Sequence, residues 1–347
     1  MTVRGTLLVA RLEFRTRLRT GRWKVLFGVW FAVLALFSLL LRVNLGSEDA
    51  DEDGIVMFGV LLFFVLLLMM LISPALTAQS INGDRERGLL APLQTTRLTP
   101  LEIASGKLLA AWAVGLAVLS LALPFIAWPV LEGDVSPVRG IVCVLVTALL
   151  IGVVCAFSQA LSALVVRSVT SALLSYLAVF ALMFGTLVLF VLTLPLVTTT
   201  EYHESDLKGT YSVKKEHTEY TWWILAPNPF VILADAAPAI PRRLVCDEGS
   251  RLLPSPDEQP TEKGCYYASR PEDDPLGPIG EEVRQARVGE QKTGESYKAY
   301  EKRLEDAPAV WPYGLAANLL LAAGSLAITA RRLRAPAAHL PRGVRVA

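Results

Sequence analysis

The chain has 347 residues, of which 53% are hydrophobic and only 19% are charged, and its mean hydropathy is +0.46. Soluble domains carry about 25% charged residues, so this composition argues against an ordinary water-soluble enzyme. The formal net charge is +1, from 33 basic and 32 acidic side chains, and these two classes are concentrated in different segments of the chain.

Six long stretches contain no Asp, Glu, Lys or Arg. They span residues 25–41, 54–83, 108–131, 140–166, 168–200 and 307–330. Each reaches the ~17 to 25 residues that an α-helix needs to cross the hydrocarbon core of a bilayer. The sequence therefore predicts an all-α polytopic membrane protein with six transmembrane helices.

Residues 1–24 precede the first span and form a basic amphipathic segment. Arginines recur at helical spacing and apolar side chains fall on another face: Arg11, Arg15, Arg19 and Arg22 against Val3, Leu7, Phe14 and Leu18. A helix of this kind binds along the surface of an anionic leaflet. The pattern predicts a cytoplasmic elbow helix on the inner leaflet, and a basic topology signal with no further role is the alternative.

The distribution of charge predicts the topology. Residues 1–24 hold seven basic side chains and one acid, residues 331–347 hold five arginines and no acid, and residues 42–53 hold five acids and one arginine. Basic residues accumulate in cytoplasmic loops because positive charge resists export, so we expect a multi-pass protein of the cell inner membrane with both termini in the cytoplasm. The chain then divides into an elbow helix at 1–24, helices one to five at 25–197 with a cytoplasmic loop at 79–107, an extracytoplasmic domain at 198–308, helix six at 309–330 and a basic tail at 331–347.

The loop at 79–107 combines charge with an apolar patch. Its charged run is Asp84-Arg85-Glu86-Arg87-Gly88, and Leu89, Leu90 and Leu93 follow. An exposed apolar patch usually marks a contact site, and here its partner would be either the lipid headgroups or another protein. Downstream, Thr99-Pro100-Leu101-Glu102 combines a capping box with proline at the first helical position. We expect the third helix to start at Pro100 and to protrude into the cytoplasm.

Spans three to five contain a few residues that shape the bundle. Spans four and five are joined only by Arg167 and Ser168 with their neighbours, which predicts a tight helical hairpin. Prolines at 124, 129 and 195 lie toward the outer ends of their spans, where kinks are tolerated. Gln159 is the most polar side chain of span four, and an interhelical hydrogen bond is favoured over a role in a transport path.

Residues 201–306 carry 14 basic and 21 acidic side chains and form a candidate for a separate folded unit. Within this segment, residues 221–240 are apolar but contain Pro227, Pro229 and Asp235, which favours a re-entrant or interfacial element over a seventh span. Cys246 and Cys265 lie 19 positions apart. They either form a disulfide in an oxidising compartment or remain free thiols.

The sequence contains no recognisable nucleotide-binding or catalytic motif. It lacks the G-x-x-x-x-G-K-[ST] phosphate loop, and we interpret Lys107 in the fragment Ser105-Gly106-Lys107 as a lysine that extends toward the membrane interface. It also lacks H-E-x-x-H and G-x-S-x-G. Solvated side chains are favoured over a metal site at Glu201, His203, Glu216, His217 and Glu219. We predict no catalytic site, no metal and no nucleic-acid partner, since anionic lipid accounts for the basic termini.

The loop at 82–107 resembles the membrane subunit of ABC-2 type transporters, the permeases that pair with a separate ATP-binding subunit. The resemblance lies in the order of a charged cluster at Asp84–Gly88, a leucine-rich run at Leu89, Leu90 and Leu93, a turn and helix start at Thr99–Glu102, and Gly106-Lys107. The segment Leu225–Phe230 resembles the proline-containing segment between spans five and six of these permeases. Leu89 departs from the pattern, because a small polar residue often follows the glycine.

The resemblance implies a permease subunit of an ATP-binding-cassette exporter. Asp84–Gly88 with Leu89, Leu90 and Leu93 would contact the ATPase subunit, which would bind the ATP and Mg²⁺ for which this chain has no site. A second permease subunit, identical or related, would complete the translocation path in the lipid bilayer. The alternative function is a membrane-anchored sensor that binds a ligand with its extracytoplasmic loop. No substrate residue is indicated.

Overall fold

The structure of the protein, a computed structural model, describes residues 2–18, 21–45, 50–88, 98–205, 209–238, 244–246, 265–267, 276–292, 295 and 297–334. Within these ranges, six helices are long and apolar enough to cross a membrane: Val25–Asn44, Asp53–Glu86, Pro100–Ser120, Pro137–Leu164, Ser168–Val197 and Trp311–Arg332. They correspond to the six predicted spans. The chain is a mostly helical, multi-pass membrane protein.

The first part of the chain contains four of these spans and has seven helical segments in its described residues. Its helices are α1 (Val3–Leu18), α2 (Gly21–Leu45), α3 (Ala50–Thr77), α4 (Asn82–Glu86), α5 (Pro100–Ser120), α6 (Leu123–Glu132) and α7 (Pro137–Leu164). Helix α1 packs on α5, and α4 lies at the same end of the bundle. We call this end, where many arginines lie, the basic end, and the opposite end the domain end.

The second part begins with an interrupted span. It contains α8 (Ser168–Phe180), a π-helical turn (Ala181–Gly185), α9 (Thr186–Val197), an antiparallel hairpin of β1 (Thr198–Ser205) and β2 (Gly209–Glu216), and the 3-10 turns Thr218–Tyr220 and Trp222–Ile224. After these come α10 (Pro229–Ala236), an antiparallel pair of β3 (Leu244–Cys246) and β4 (Cys265–Tyr267), α11 (Gly277–Val288), α12 (Tyr297–Glu305) and α13 (Trp311–Arg332).

Helix α7 lies at the centre of the bundle and packs against α3, α5, α8 and α13. Its neighbour α5 approaches closely at Gly115, where a Cβ atom would lie only 2.7 Å from Ile151 Cγ2. Helices α3, α5 and α7 bury more than half of their most apolar segments, whereas α2, the α8–α9 span and α13 bury far less. The peripheral helices therefore present apolar side chains outward.

Prolines interrupt the helices near the domain end. Pro124 occupies the second position of α6, and the helix α5 ends four residues earlier, at Ser120. Since proline cannot donate the next backbone hydrogen bond, the predicted span at 108–131 is divided between α5 and α6. Pro195 lies inside α9, which ends at Val197, where a run of threonines favours the extended backbone of β1.

Residues 221–238 form short turns and one short helix rather than a seventh span. Helix α10 has 8 residues and packs against α3, α7 and α13. The ring of Phe230 stacks on Phe63 of α3 with centroids 4.7 Å apart, and Ile232 and Leu233 are fully buried. This apolar segment enters the bundle at the domain end, the arrangement of a re-entrant element.

The register of β3 and β4 places Cys246 directly opposite Cys265. Opposed residues of an antiparallel pair have Cα atoms about 4.5–5.5 Å apart, a separation that a disulfide can bridge. We expect peptide mass spectrometry of protein isolated without reductant to find the two cysteines joined. Cys246→Ser should leave Cys265 open to alkylation, and alkylation of both thiols in the unreduced wild type would contradict the prediction.

Candidate functional site

A buried lysine joins three elements at the basic end. Lys107 of α5 is fully buried, and its Nζ donates to a carboxylate oxygen of Asp84 in α4 and lies 3.4 Å from Glu13 Oε2 in α1. The prediction that Lys107 extends toward the interface is therefore wrong, since its ammonium group is turned inward to two carboxylates. A buried charge is costly unless it is paired, so these contacts hold α1 and α4 against α5.

Small side chains allow α1 to approach α5. A Cβ atom at Gly106 would lie 2.6 Å from Val9 Cβ and 2.9 Å from the Thr6 carbonyl oxygen, both in α1. Within the same contact, the hydroxyls of Thr6 and Ser105 lie 3.3 Å apart. Gly106 is thus required for close packing, because any larger residue would displace α1 or distort α5.

Glu102 connects the start of α5 to the start of α1. The hydroxyl of Thr99 accepts from the Glu102 N–H at 3.3 Å, and the Thr99 N–H donates to Glu102 Oε2 at 2.8 Å, which completes a capping box before Pro100. The other carboxylate oxygen accepts from the Thr2 hydroxyl at 2.8 Å and from the Thr2 backbone N–H. The local motif indicates the first pair of bonds only, since Thr2 is 100 positions away.

The two acids of the charged run are turned toward the protein. Asp84 is buried in its pair with Lys107. Glu86 Oε1 accepts from the Ser168 hydroxyl at 2.6 Å and from the Ser168 N–H at 3.3 Å, at the first turn of α8. A carboxylate at a helix N-terminus satisfies free N–H groups and interacts favourably with the helix dipole. Both acids therefore connect the loop to neighbouring helices.

The arginines of the same run are more exposed than Asp84. The Arg87 side chain is 66% exposed and lies 3.9 Å from Asp84, although its Nε donates to the Gly83 carbonyl at 2.8 Å. Arg85 is partly exposed. Gly88 has φ +69°, a left-handed conformation that suits glycine and turns the chain. The predicted apolar patch, Leu89, Leu90 and Leu93, lies outside the described residues.

The segment between α3 and α4 is also fixed to α7 and α8. Ser162 Oγ of α7 accepts from the N–H groups of Ile81 and Asn82 at 3.2 and 3.1 Å. Ser171 Oγ of α8 donates to the Ala78 carbonyl at 2.8 Å. Together with Glu86, these bonds connect the beginning of the loop to two transmembrane helices.

We call the contacts that join the loop to α1, α5, α7 and α8 the junction. Gln159 connects α7 to α5 nearby. It is 1% exposed, and its Nε2 donates to the Ala104 carbonyl at 2.9 Å. The predicted interhelical hydrogen bond is confirmed. Movement of the loop would therefore act directly on α1, α5, α7 and α8.

A second polar centre lies at the domain end, around Asp235 of α10. Asp235 is 3% exposed, and its Oδ2 accepts from the N–H groups of Val310 and Trp311 at 2.6 and 2.8 Å, at the start of α13. Its Oδ1 accepts from Arg284 Nε of α11 at 2.6 Å. One buried carboxylate therefore joins the re-entrant helix, the last span and the segment between them.

Asn228 joins the re-entrant segment to the interrupted fifth span. Its Nδ2 donates to the Met183 carbonyl at 2.6 Å and lies 2.9 Å from the Thr186 hydroxyl, while its Oδ1 accepts from the Phe230 N–H at 2.9 Å. Met183 belongs to the π-helical turn, a type of turn that is frequent at functional sites. Asn228 thus caps α10 and satisfies a carbonyl of this turn at once.

The same segment touches the last span backbone to backbone. A Cβ atom at Gly314 of α13 would lie 1.8 Å from the Ala226 carbonyl oxygen, so no side chain fits there. Asn318 Nδ2 donates to the Pro227 carbonyl at 2.8 Å. The proline-containing segment is therefore held between the fifth and sixth spans.

Within the described residues, no three His, Cys, Asp or Glu side chains form a group that could hold a metal ion. His217 Nδ1 lies 2.9 Å from Glu219 Oε1, and His217 Nε2 lies 3.0 Å from the Thr199 hydroxyl. Both ring nitrogens thus have protein partners. The side chains of Glu201 and His203 lie outside the part that the structure describes.

Glu295 organises the segment before the last span. The Lys292 N–H donates to its Oε2 at 2.9 Å, and Arg303 Nη2 donates to the same oxygen at 2.8 Å. The hydrogen bond from Lys292, assisted by Arg303, lowers the pKa of Glu295 below its ordinary value. The carboxylate therefore remains ionised as a fixed partner for α12.

The fold and the junction define a polytopic helical membrane protein whose loop between the second and third spans is bonded to four helices. A comparison with known families matches residues 34–209 to the ABC-2 family transporter proteins, and the chain belongs to this family. It is a transport subunit of that class, and the match favours transport over the alternative of a membrane-anchored sensor. No curated protein matches the chain.

Proposed function

We propose that this chain is the permease subunit of an ATP-binding-cassette exporter and that its α3–α5 loop docks on a separate ATPase subunit. The ATPase would bind ATP and Mg²⁺ and hydrolyse the nucleotide, while the permease helices form the path. The observation that supports this role most directly is the pairing of Lys107 with Asp84 and Glu13. It joins the loop rigidly to helices on both sides.

The proposed transmission follows from the bonds of the loop. Displacement of α4 would act on α5 through Lys107, on α7 through Ser162 and on α8 through Ser168, because each of these residues bonds to the loop segment. Such a displacement drives transport only when ATP binding favours one of two arrangements of the path. Because the contacts at the loop are rigid, more of the ATPase's displacement would reach the helices.

We propose that the protein lies in the cell inner membrane, with the basic end in the cytoplasm and residues 198–308 on the other side. The support is the positive-inside pattern of the loops, which is independent of the family match. The exposed apolar side chains of α2 and of the α8–α9 span would face lipid or a second permease subunit, identical or related.

The docking assignment is tested with the variant Leu89→Asp, Leu90→Asp and Leu93→Asp. We expect it to insert into the membrane but to lose co-purification of the ATPase, because three carboxylates cannot replace an apolar contact without desolvation cost. Quantitative pull-down measures binding of the ATPase, and proteoliposomes measure ATP-dependent transport.

The matched control is Leu252→Asp with Leu253→Asp, the same substitution in the segment beyond α10. It should retain ATPase binding. Unchanged co-purification and transport in the triple variant would show that residues 89–93 do not dock the ATPase.

A further inference from the structure

The basic end contains few acids, and the structure gives each of them an internal partner. The sequence places Glu13, Asp84, Glu86 and Glu102 there. Glu13 and Asp84 pair with Lys107, Glu102 binds Thr2 and Thr99, and Glu86, although exposed, binds Ser168. The positive-inside pattern requires basic residues at this end, but it does not require the acids to be occupied within the fold.

Among the described residues near α4, the exposed ionic groups are arginines and Glu86, whose carboxylate is bonded to Ser168. Leu333 packs with Ile81 and Ile103, so the end of α13 lies at the root of the loop, and the bond of Glu86 to Ser168 brings the adjacent Arg167 beside α4. The exposed arginines of this face are Arg87, Arg167, Arg331, Arg332 and Arg334. We call these five residues the arginine face.

We propose that the ATPase subunit meets the arginine face with an acidic surface. This inference rests on the proposed function and adds the chemistry of the partner. Asp84 is buried against Lys107 and Glu86 is bonded to Ser168, so exposed arginines outnumber exposed carboxylates on this face. Guanidinium groups bind carboxylates through two parallel hydrogen bonds and are enriched at protein interfaces, which suits a row of Asp or Glu on the ATPase.

The membrane surface is the less suitable occupant of this face. Helix α1 already offers a surface for lipid, with exposed Arg4, Arg11 and Arg15 beside exposed Leu8 and Leu12. The arginine face instead flanks the loop whose next residues are the apolar patch predicted to dock the ATPase. Arginine is enriched at protein interfaces relative to the rest of the surface.

The experiment uses the permease in nanodiscs of uncharged lipid and the ATP-binding subunit that co-purifies with the wild-type chain. Binding of the purified ATPase is measured from 50 mM to 500 mM salt for the wild type and for Arg87→Glu with Arg331→Glu and Arg332→Glu. Arg139→Glu, an exposed arginine at the domain end, is the matched control. Size-exclusion profiles show whether each variant is folded.

We expect the wild-type association to slow by roughly tenfold or more as salt rises, because screening weakens attraction between exposed charges. The triple reversal should weaken binding at low salt by roughly tenfold or more, and the control should not. Replacing the facing acids of the ATPase by lysine should restore part of the binding that the triple reversal lost.

Three results would overturn the inference. Strong wild-type binding that is insensitive to salt and to the triple reversal would leave the ATPase docking in place and remove the acidic partner surface. If the triple reversal binds anionic vesicles more weakly than the wild type while its ATPase binding is unchanged, the arginine face would be assigned to the membrane. A wild-type chain that binds no ATPase at any salt concentration would overturn this inference together with the proposed function.

Discussion

Lys107→Met is expected to lower the free energy of unfolding by about 3–5 kcal/mol, the usual cost of removing one partner from a buried ion pair. Methionine fills a similar volume, but it leaves Asp84 and Glu13 facing the same buried position without the cation between them. The two carboxylates would repel each other or take up protons. Thermal unfolding of the detergent-purified protein measures the loss, and proteoliposome transport should fall to background.

The matched control is Lys302→Met, the same substitution at an exposed lysine of α12. Exposed charges contribute at most about 1 kcal/mol, so its unfolding temperature should match that of the wild type. An unchanged unfolding temperature in Lys107→Met would mean that the buried ion pair does not stabilise the junction.

A combined variant separates stability from transmission. Lys107→Met with Asp84→Val and Glu13→Met removes all three charges together, and replacing a complete buried ion pair by well-packed apolar groups is often nearly neutral for stability. We expect it to unfold close to the wild-type temperature yet to transport poorly, because the link between α1, α4 and α5 is gone. Full transport in this variant would show that the junction is structural and does not transmit motion.

The parts of the fold that follow from the sequence are those set by local composition. Six charge-free stretches are long enough to span a bilayer, so their positions follow from hydropathy alone. The start of α5 follows from Thr99, Pro100 and Glu102, which lie within one turn of each other. The division of the third span at Ser120 follows from Pro124, because proline lacks the required N–H.

The contacts that build the site link residues that are distant in sequence. Lys107 meets Glu13 across 94 positions and Asp84 across 23, and no periodicity indicates such pairs. The fragment Ser105-Gly106-Lys107 predicted a solvent-directed lysine, because its neighbours in the sequence offer no charged partner for a buried ammonium group. The carboxylates that reverse this preference come from other elements.

The re-entrant segment likewise combines a feature that the local sequence indicates with one that it does not. Pro227, Pro229 and Asp235 favoured a re-entrant or interfacial element over a seventh span, since each proline removes a backbone hydrogen bond from a continuous helix. The role of Asn228 could not be predicted in the same way, because its partner Met183 lies in a π-helical turn. That turn has no proline, and its glycine, Gly185, does not distinguish it from an α-helix, so no local signal pointed to the carbonyl that Asn228 satisfies.

Asp235→Asn is expected to lower the free energy of unfolding by about 2–4 kcal/mol, since it weakens a helix cap and a charge-assisted hydrogen bond together. Both carboxylate oxygens accept hydrogen bonds, from Val310 and Trp311 on one side and from Arg284 on the other. An amide offers one acceptor and one NH₂ group, so one side would face donor against donor. The re-entrant helix should separate from the start of α13, which thermal unfolding and proteolysis at the domain end would detect.

Asp306→Asn, at an exposed position four residues before Val310, is the matched control and should unfold like the wild type. Hydrogen exchange separates a local effect from a global one: in Asp235→Asn the amides of Val310 and Trp311 should exchange much faster, while those of α5 and α7 change little. Unchanged protection of these two amides would mean that Asp235 does not hold the start of the last span. Faster exchange there with normal ATPase binding would indicate that the two polar centres act independently, because Asp235 and Lys107 lie at opposite ends of the bundle and share no partner among the described contacts.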